Sequence, residues 1–374
     1  MTSSSRVFVT SPALPPFEEF VDEIRDIWDT YCLTHQGPKY HALEEQISQY
    51  LQVDSAPLFA NGHLALQVAF WSLGLTEGEV ITTPFTFAST TQAIVGCGLT
   101  PVFCDIDPVT WCIDAAKIEA LITPRTKAIV GVHVYGVPCD FEEIDRIAKE
   151  HDLIVIYDAA HAFGETYGGR GIGTFGDMSM FSMHATKVFN TVEGGCLTFN
   201  KDDELYQRVC SIRQFGAYLT DETKYVGTNA KLTEMHAAMG LCNLRHIDEY
   251  IAQRKTAYEV YEQLFAGVEG MQRLRYPDKL KPNYSYYPVV IDSESFGCSR
   301  DELAVHLEEH GIFARKYFYP LTSTFECYQG VFPIQATPVA RKIAQRVLCL
   351  PLYADLDASM VEYIAGLVLE SRDG

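Results

Sequence analysis

Between residues 55 and 200 short apolar runs alternate with helix-patterned stretches and turn residues, and this alternation constrains the fold more than any other feature of the chain. A strand buried on both faces reads as a continuous apolar run, and parallel strands need a long crossover, usually a helix. Strand and helix repeated in turn therefore predict an α/β fold, a mostly parallel central sheet sandwiched by helices. The predicted strands are Val80–Thr83, Thr100–Asp105, Ala128–Tyr135, Leu153–Tyr157, Ser179–Met183 and Gly195–Phe199. Helical stretches lie at His63–Leu73, Ala115–Leu121 and Phe141–His151, and right-handed crossovers are expected. Gly195–Phe199 follows its predecessor through a tight turn without a helix, so those two strands should pair antiparallel.

After about residue 240 the pattern changes. A long amphipathic helix, Leu241–Leu264, leads to a strand at Tyr284–Ile291 and a helix opened by Ser299, with Glu302 at capping-box spacing. A further strand, Ile312–Tyr319, and helices near Pro338–Val347 and Ala358–Glu370 complete a smaller α+β unit. A chain of 374 residues exceeds the roughly 250–300 at which single cores stop growing, so more than one domain is expected. The divisions read as an N-terminal arm and helix (1–50), a large domain (51–245) and a small C-terminal α+β domain (246–374).

Forty-nine acidic against 29 basic residues give a net charge of −20, which argues against a nucleic-acid partner. Any anionic ligand then needs local donors such as a helix N-terminus or an arginine. None of the eleven cysteines forms a C-x-x-C pair, so no metal site is expected, and scattered thiols in apolar runs fit a reducing cytoplasm. The N-terminus lacks a signal-peptide apolar core and no run approaches the ~20 residues of a membrane span.

Within this frame one lysine, Lys187, lies among Phe181, Met183, Val188 and Phe189. Most lysines are solvated surface charges, but desolvation favours the neutral, nucleophilic amine. Upstream, Asp158 directly follows the run Leu153–Tyr157, at the strand end where α/β sheets place ligands. An Asp there also commonly caps a turn. Together the two residues match pyridoxal phosphate chemistry, which needs an amine for the aldehyde and a carboxylate for the pyridine nitrogen. His161, three residues on, is a candidate to pack on the ring, or else a satisfied core histidine. Asn61-Gly62-His63 opens a helix whose free amides would suit a phosphate, with Asn61 as N-cap and Ser182 as an added hydroxyl. Phe87, preferred over Phe85, is placed to stack on a pyridine ring, against a core-packing reading of equal weight. His133 and Tyr135 end another strand and are candidates to line the pocket. Gly168–Gly173 superficially resembles a dinucleotide fingerprint, but a glycine-rich turn between strands explains it better.

Taken as a set, Asp158-Ala-Ala-His161, Phe181-Ser-Met-His-Ala-Thr-Lys187 and Glu193-Gly-Gly195 resemble the DegT/StrS nucleotide-sugar aminotransferases, the likeness running from Thr34–Leu51 to the C-terminus. That resemblance implies the aspartate-aminotransferase fold (pyridoxal phosphate fold type I), with Lys187 as Schiff-base lysine and Asp158 as ring acid. Gly62-His63 stands where the family has Gly-Thr, so imidazole replaces a hydroxyl. Gly227-Thr-Asn229-Ala-Lys231 looks like the loop that brings an Asn to the phosphate from a partner subunit, which implies a homodimer with shared sites. Lys187 argues against the relatives that carry His there and dehydrate. Val9–Pro16 and Ile81–Phe87 look closest to members making dTDP-4-amino-4,6-dideoxyglucose from a dTDP-4-keto-6-deoxy sugar and L-glutamate. A 3-aminotransferase, and more distantly a lyase or a non-catalytic cofactor-binding protein, remain as alternatives. For the donor carboxylate the expected cations are Arg213 and Lys231; for the sugar nucleotide, His133, Tyr317 and Tyr319 are the expected contacts.

Overall fold

A computed structural model of the chain describes residues 6–34, 36–218 and 222–372. Residues 1–5, part of the N-terminus read above for a targeting signal, lie outside the described residues. The central sheet has seven strands: β1 (Leu58–Phe59), β2 (Glu79–Thr82), β3 (Thr100–Phe103), β4 (Thr126–Val132), β5 (Ile154–Asp158), β6 (Met178–Ser182) and β7 (Gly195–Thr198). Their order across the sheet is β1-β7-β6-β5-β4-β2-β3. Neighbours from β2 to β6 are parallel, and β7 runs antiparallel to β6 with Gly195 opposite Ser182. Side chains alternate across the sheet: Ile156 packs in one core with Val80, Val130 and Met180, while Val155 and Tyr157 pack in the other with Ile81 and Phe181.

The differences from the sequence reading have local causes. The run expected to continue to Tyr135 stops at Val132, because Tyr135 adopts a left-handed φ of 55° inside a 3-10 turn. Ala115–Leu121 forms two 3-10 turns instead of a helix, closed by three-residue bonds such as Lys117 N to Asp114 O at 3.0 Å and Leu121 N to Ile118 O at 2.9 Å. Ala88–Gly96 is helical although its Thr-rich sequence carries little helical contrast. The long helix starts at Glu234, seven residues earlier than its apolar pattern, because the Thr233 hydroxyl caps the His236 amide at 3.3 Å. Tyr167 and Arg170 pair across Gly168 and Gly169, both at positive φ, so the glycine-rich stretch is a hairpin turn.

A second, antiparallel sheet joins Met271–Arg273, Tyr287–Ile291 and Val347–Leu350, packed against helices Arg300–Glu309 and Ala358–Glu370 and the end of Glu234–Leu264. The Ser299–Glu302 capping box is present. Val7–Phe8 pairs with Ile312–Phe313, so the N-terminal arm is tied to this C-terminal region. The strand expected over Ile312–Tyr319 is only those two residues long; after Arg315 bridges to Cys349 the chain turns towards the central sheet. Among the described residues no helix is long and apolar enough to cross a membrane.

Candidate active site

The carboxyl ends of β4, β5 and β6 open into a cavity of about 460 Å³. Its lining includes Gly62, His63, Phe87, His133, Asp158, His161, Ser182, Lys187 and Tyr317, nine of the residues singled out above. Lys187 arrives on the connection between β6 and β7, where Met183 N donates to Gly194 O and Ala185 N to Val192 O, each at 2.8 Å, and Lys187 N to His184 O at 2.9 Å. The glycines after it are needed for close approach: a Cβ on Gly195 would stand 2.6 Å from the Gly62 amide nitrogen. Burial lowers the Lys187 amine to about 8, against the opposing pull of Asp158 and with help from Arg315. A sizeable neutral fraction near neutral pH makes it a nucleophile.

Asp158 ends β5 and is 5% exposed. Its two oxygens are separately held, Oδ2 accepting from Thr90 Oγ1 at 2.7 Å and Oδ1 from Ala160 N at 3.1 Å. Burial pushes the carboxyl above its ordinary range, and these two donors together with Lys187 act against that push. His161 Nδ1 accepts from the Tyr135 amide at 3.1 Å. An amide can only donate, and burial together with the Lys187 charge holds the ring well below its usual pKa, so the neutral imidazole carries its proton on Nε2. The ring lies parallel to Phe318 at 5.9 Å.

Opposite, Asn61 Oδ1 caps the Leu64 amide at 2.8 Å and starts helix Gly62–Ser72. The leading amides of such a helix lack intrahelical acceptors and suit an anion. A Cβ at Gly62 would fall 2.9 Å from Met180 Sδ, so only glycine brings this backbone against β6. His63 Nδ1 lies 3.0 Å from Ser89 Oγ, and burial lowers its pKa. Phe87 faces the cavity, edge-on to Tyr317 at 6.4 Å, while Phe85 is fully buried against Tyr135 and Phe318.

The remaining expected residues sit differently. His133 borders the cavity, but its ring stacks on Tyr157 at 4.8 Å and Nδ1 accepts from Cys139 N, so the imidazole packs in the core, pushed down to about 3 by burial. Tyr319 is outside the lining, its ring 5.0 Å from the Arg300 guanidinium. Arg213 is buried beneath the sheet edge, donating to Tyr40 Oη and, at 2.7 Å, to Leu58 O, which removes it as a donor-carboxylate cation. Lys231 donates to Asn229 Oδ1 at 2.7 Å, and both lie outside this cavity. The cation the sequence reading missed is Arg315: apart from Lys187 it is the one Lys or Arg among the described lining residues. Its guanidinium sits 4.2 Å from the Tyr317 ring. Nothing in its local sequence marks it, and it reaches the cavity through the chain's turn after Phe313.

Comparison with known proteins agrees with this geometry. The pattern of the DegT/DnrJ/EryC1/StrS aminotransferase family matches residues 17–369. The chain belongs to this family. Among its relatives, the dTDP-4-amino-4,6-dideoxy-D-glucose transaminase of Shigella dysenteriae is 42% identical over 366 residues, 98% of this chain and 99% of its own. The GDP-perosamine synthase of Caulobacter vibrioides is 35% identical over 86% of each chain. DesI, solved in the presence of its TDP-sugar product, aligns with a TM-score of 0.93 at 34% identity, covering 98% of this chain and 94% of that one. Aminotransferases of this family depend on pyridoxal phosphate. The cavity fits that group on its own terms: a desolvated amine, a carboxylate fixed by two donors, a glycine-started helix and a ring-faced wall surround one space.

Proposed function

We propose that the protein moves the amino group of L-glutamate to a dTDP-4-keto-6-deoxy-D-glucose, giving dTDP-4-amino-4,6-dideoxy-D-glucose and 2-oxoglutarate. The observation that carries this reading is the pairing of Lys187 and Asp158 in one cavity of a chain 42% identical, over nearly its full length, to a transaminase named for that amino sugar. Pyridoxal phosphate, when bound, supplies an aldehyde that captures the amine and a ring that takes up electrons. Lys187 Nζ is the amine that would hold the aldehyde, and in its buried place it would serve as the base and acid that moves the proton from one carbon to another. The Asp158 carboxylate would keep the ring nitrogen protonated, and His161 and Phe87 are among the residues that would enclose the ring. The Gly62 and His63 amides at this helix start would hold the phosphate. Arg315 takes the carboxylate of glutamate, which an overall charge of −20 would otherwise repel.

We read residues 51–245 as the cofactor-holding domain and 246–374 as the one facing substrate. Asn229 is exposed and outside its own cavity, which supports service to a neighbouring copy in a homodimer. A native protein that sediments as a monomer at working concentration would sink that part. Free cysteines throughout the chain support a cytoplasmic setting. The substrate reading is tested by converting the enzyme to its aminated form with glutamate, then offering dTDP-, UDP- and GDP-ketosugars and identifying the product by NMR. Amination of the dTDP-4-ketosugar at C4 is expected. Turnover with glutamate but with no ketosugar would overturn the acceptor, and no reaction with glutamate would overturn the donor.

A further inference from the structure

Behind Asp158 lies a chain of hydroxyls that the reaction described above does not use. Thr90 Oγ1 donates to Asp158 Oδ2 at 2.7 Å, and Thr86 Oγ1 lies 2.7 Å from Thr90 Oγ1. Thr90 is fully buried and Thr86 nearly so, and Thr86 also lines the cavity. The direction of the chain follows from valence. A carboxylate only accepts, so the single hydroxyl hydrogen of Thr90 is committed to Asp158, and Thr86 must donate to Thr90. Hydrogen bonds polarised in one direction strengthen one another, and Oδ1 is fixed independently by the Ala160 amide.

We propose that Thr86 and Thr90 form a one-way hydroxyl relay that orients the Asp158 carboxylate and keeps it anionic towards a ring nitrogen. Both are positioning residues: they act through Asp158. The relay compensates the burial that otherwise favours the neutral acid, alongside the charge of Lys187, while His161 is neutral. Its location is a consequence of helix Ala88–Gly96, whose first turn sets Thr90 beneath the end of β5. This inference rests on the reading of Asp158 as the partner of the ring nitrogen.

The test uses holoenzyme variants T90V, T90S, T86V and D158N, following the pH at which the absorption of bound cofactor changes form, together with kcat and KM. Losing one charge-assisted hydrogen bond on the carboxylate should move that midpoint by about one pH unit in T90V. It should also lower kcat roughly tenfold with KM for both substrates little changed, a loss confined to the chemical step. T90S keeps the hydroxyl and should restore the midpoint, and T86V should show a smaller shift in the same direction. A T90V midpoint equal to that of the parent, or T90S as impaired as T90V, overturns the relay. Where T90V does not fold, T86V decides, because an unshifted midpoint there is equally fatal. D158N separates the two claims. If it leaves the midpoint in place, the role of Asp158 itself is wrong; if it shifts while T90V does not, only the relay fails.

Discussion

The two sides of the cavity are built on opposite principles. On the sheet side Asp158, His161 and Lys187 are held at strand ends or in a laddered hairpin, with the Asp158 carboxylate and the His161 ring fixed by backbone amides and a buried hydroxyl. On the C-terminal side Arg315 and Tyr317 sit on an irregular turn, with Arg315 exposed and held by an aromatic face rather than a carboxylate. On the proposed function this contrast puts reaction chemistry on the rigid side and recognition of the donor on the adjustable one, because proton transfer needs fixed geometry whereas a guanidinium can find a carboxylate from several rotamers.

The sharpest break of this comparison is Lys187→Ala. Removing the proton carrier should lower kcat by ~10³-fold or more, within or beyond the range for acid–base groups, while cofactor added to the protein still binds. Retained turnover would show that the chemistry does not depend on the sheet side. Next is Arg315→Met, expected to raise KM for glutamate by roughly 10–100-fold, the equivalent of about 1.5–3 kcal/mol for a charged hydrogen bond, with the ketosugar half-reaction much less affected. Equal damage to both halves would erase the division between the two sides.

A third measurement addresses the lysine alone. The amine of apoprotein titrates at about 8, below its ordinary value, so its neutral form grows as pH rises. The rate of cofactor capture should therefore climb about tenfold per pH unit below 8 and level off above it. A rate that keeps climbing about tenfold per unit between pH 8 and about 10, as for an ordinary solvated lysine, contradicts the desolvated setting. The smallest effect belongs to the seam. Tyr135 Oη donates to the Tyr317 carbonyl, tying the strand-end turn to the opposite wall. Tyr135→Phe should cost about 1 kcal/mol in thermal unfolding and raise the glutamate KM by less than Arg315→Met does. An effect on glutamate as large as that of Arg315→Met would mean the seam, not the guanidinium, sets donor binding.

The same contrast explains what was legible. The sheet side could be read because its residues follow apolar runs directly: Asp158 ends one, and Lys187 interrupts another before a Glu-Gly-Gly turn. Phe87 stands one residue before a helix that the Thr-rich sequence did not announce, so its turn towards the cavity was fixed by the fold. Arg315 could not be read, since nothing local distinguishes it from Arg213, and only the turn after Phe313 brings it to the cavity while Arg213 goes under Tyr40. His133 ends a strand as Asp158 does, yet its ring turns to the Tyr157 side of the sheet, a choice set by packing against Phe141 and Tyr157.

The sequence by itself determined the α/β architecture, the apolar settings of Lys187 and Asp158, and the glycine-started helix, because each is a property of a few adjacent residues and their period. Tertiary structure alone decided which cation meets the cavity, which aromatic rings face it, and that Thr86 and Thr90 point at Asp158 from another crossover. Those contacts join residues tens to more than a hundred positions apart, and their free energies come from burial and hydrogen-bond direction that exist only once the sheet has closed.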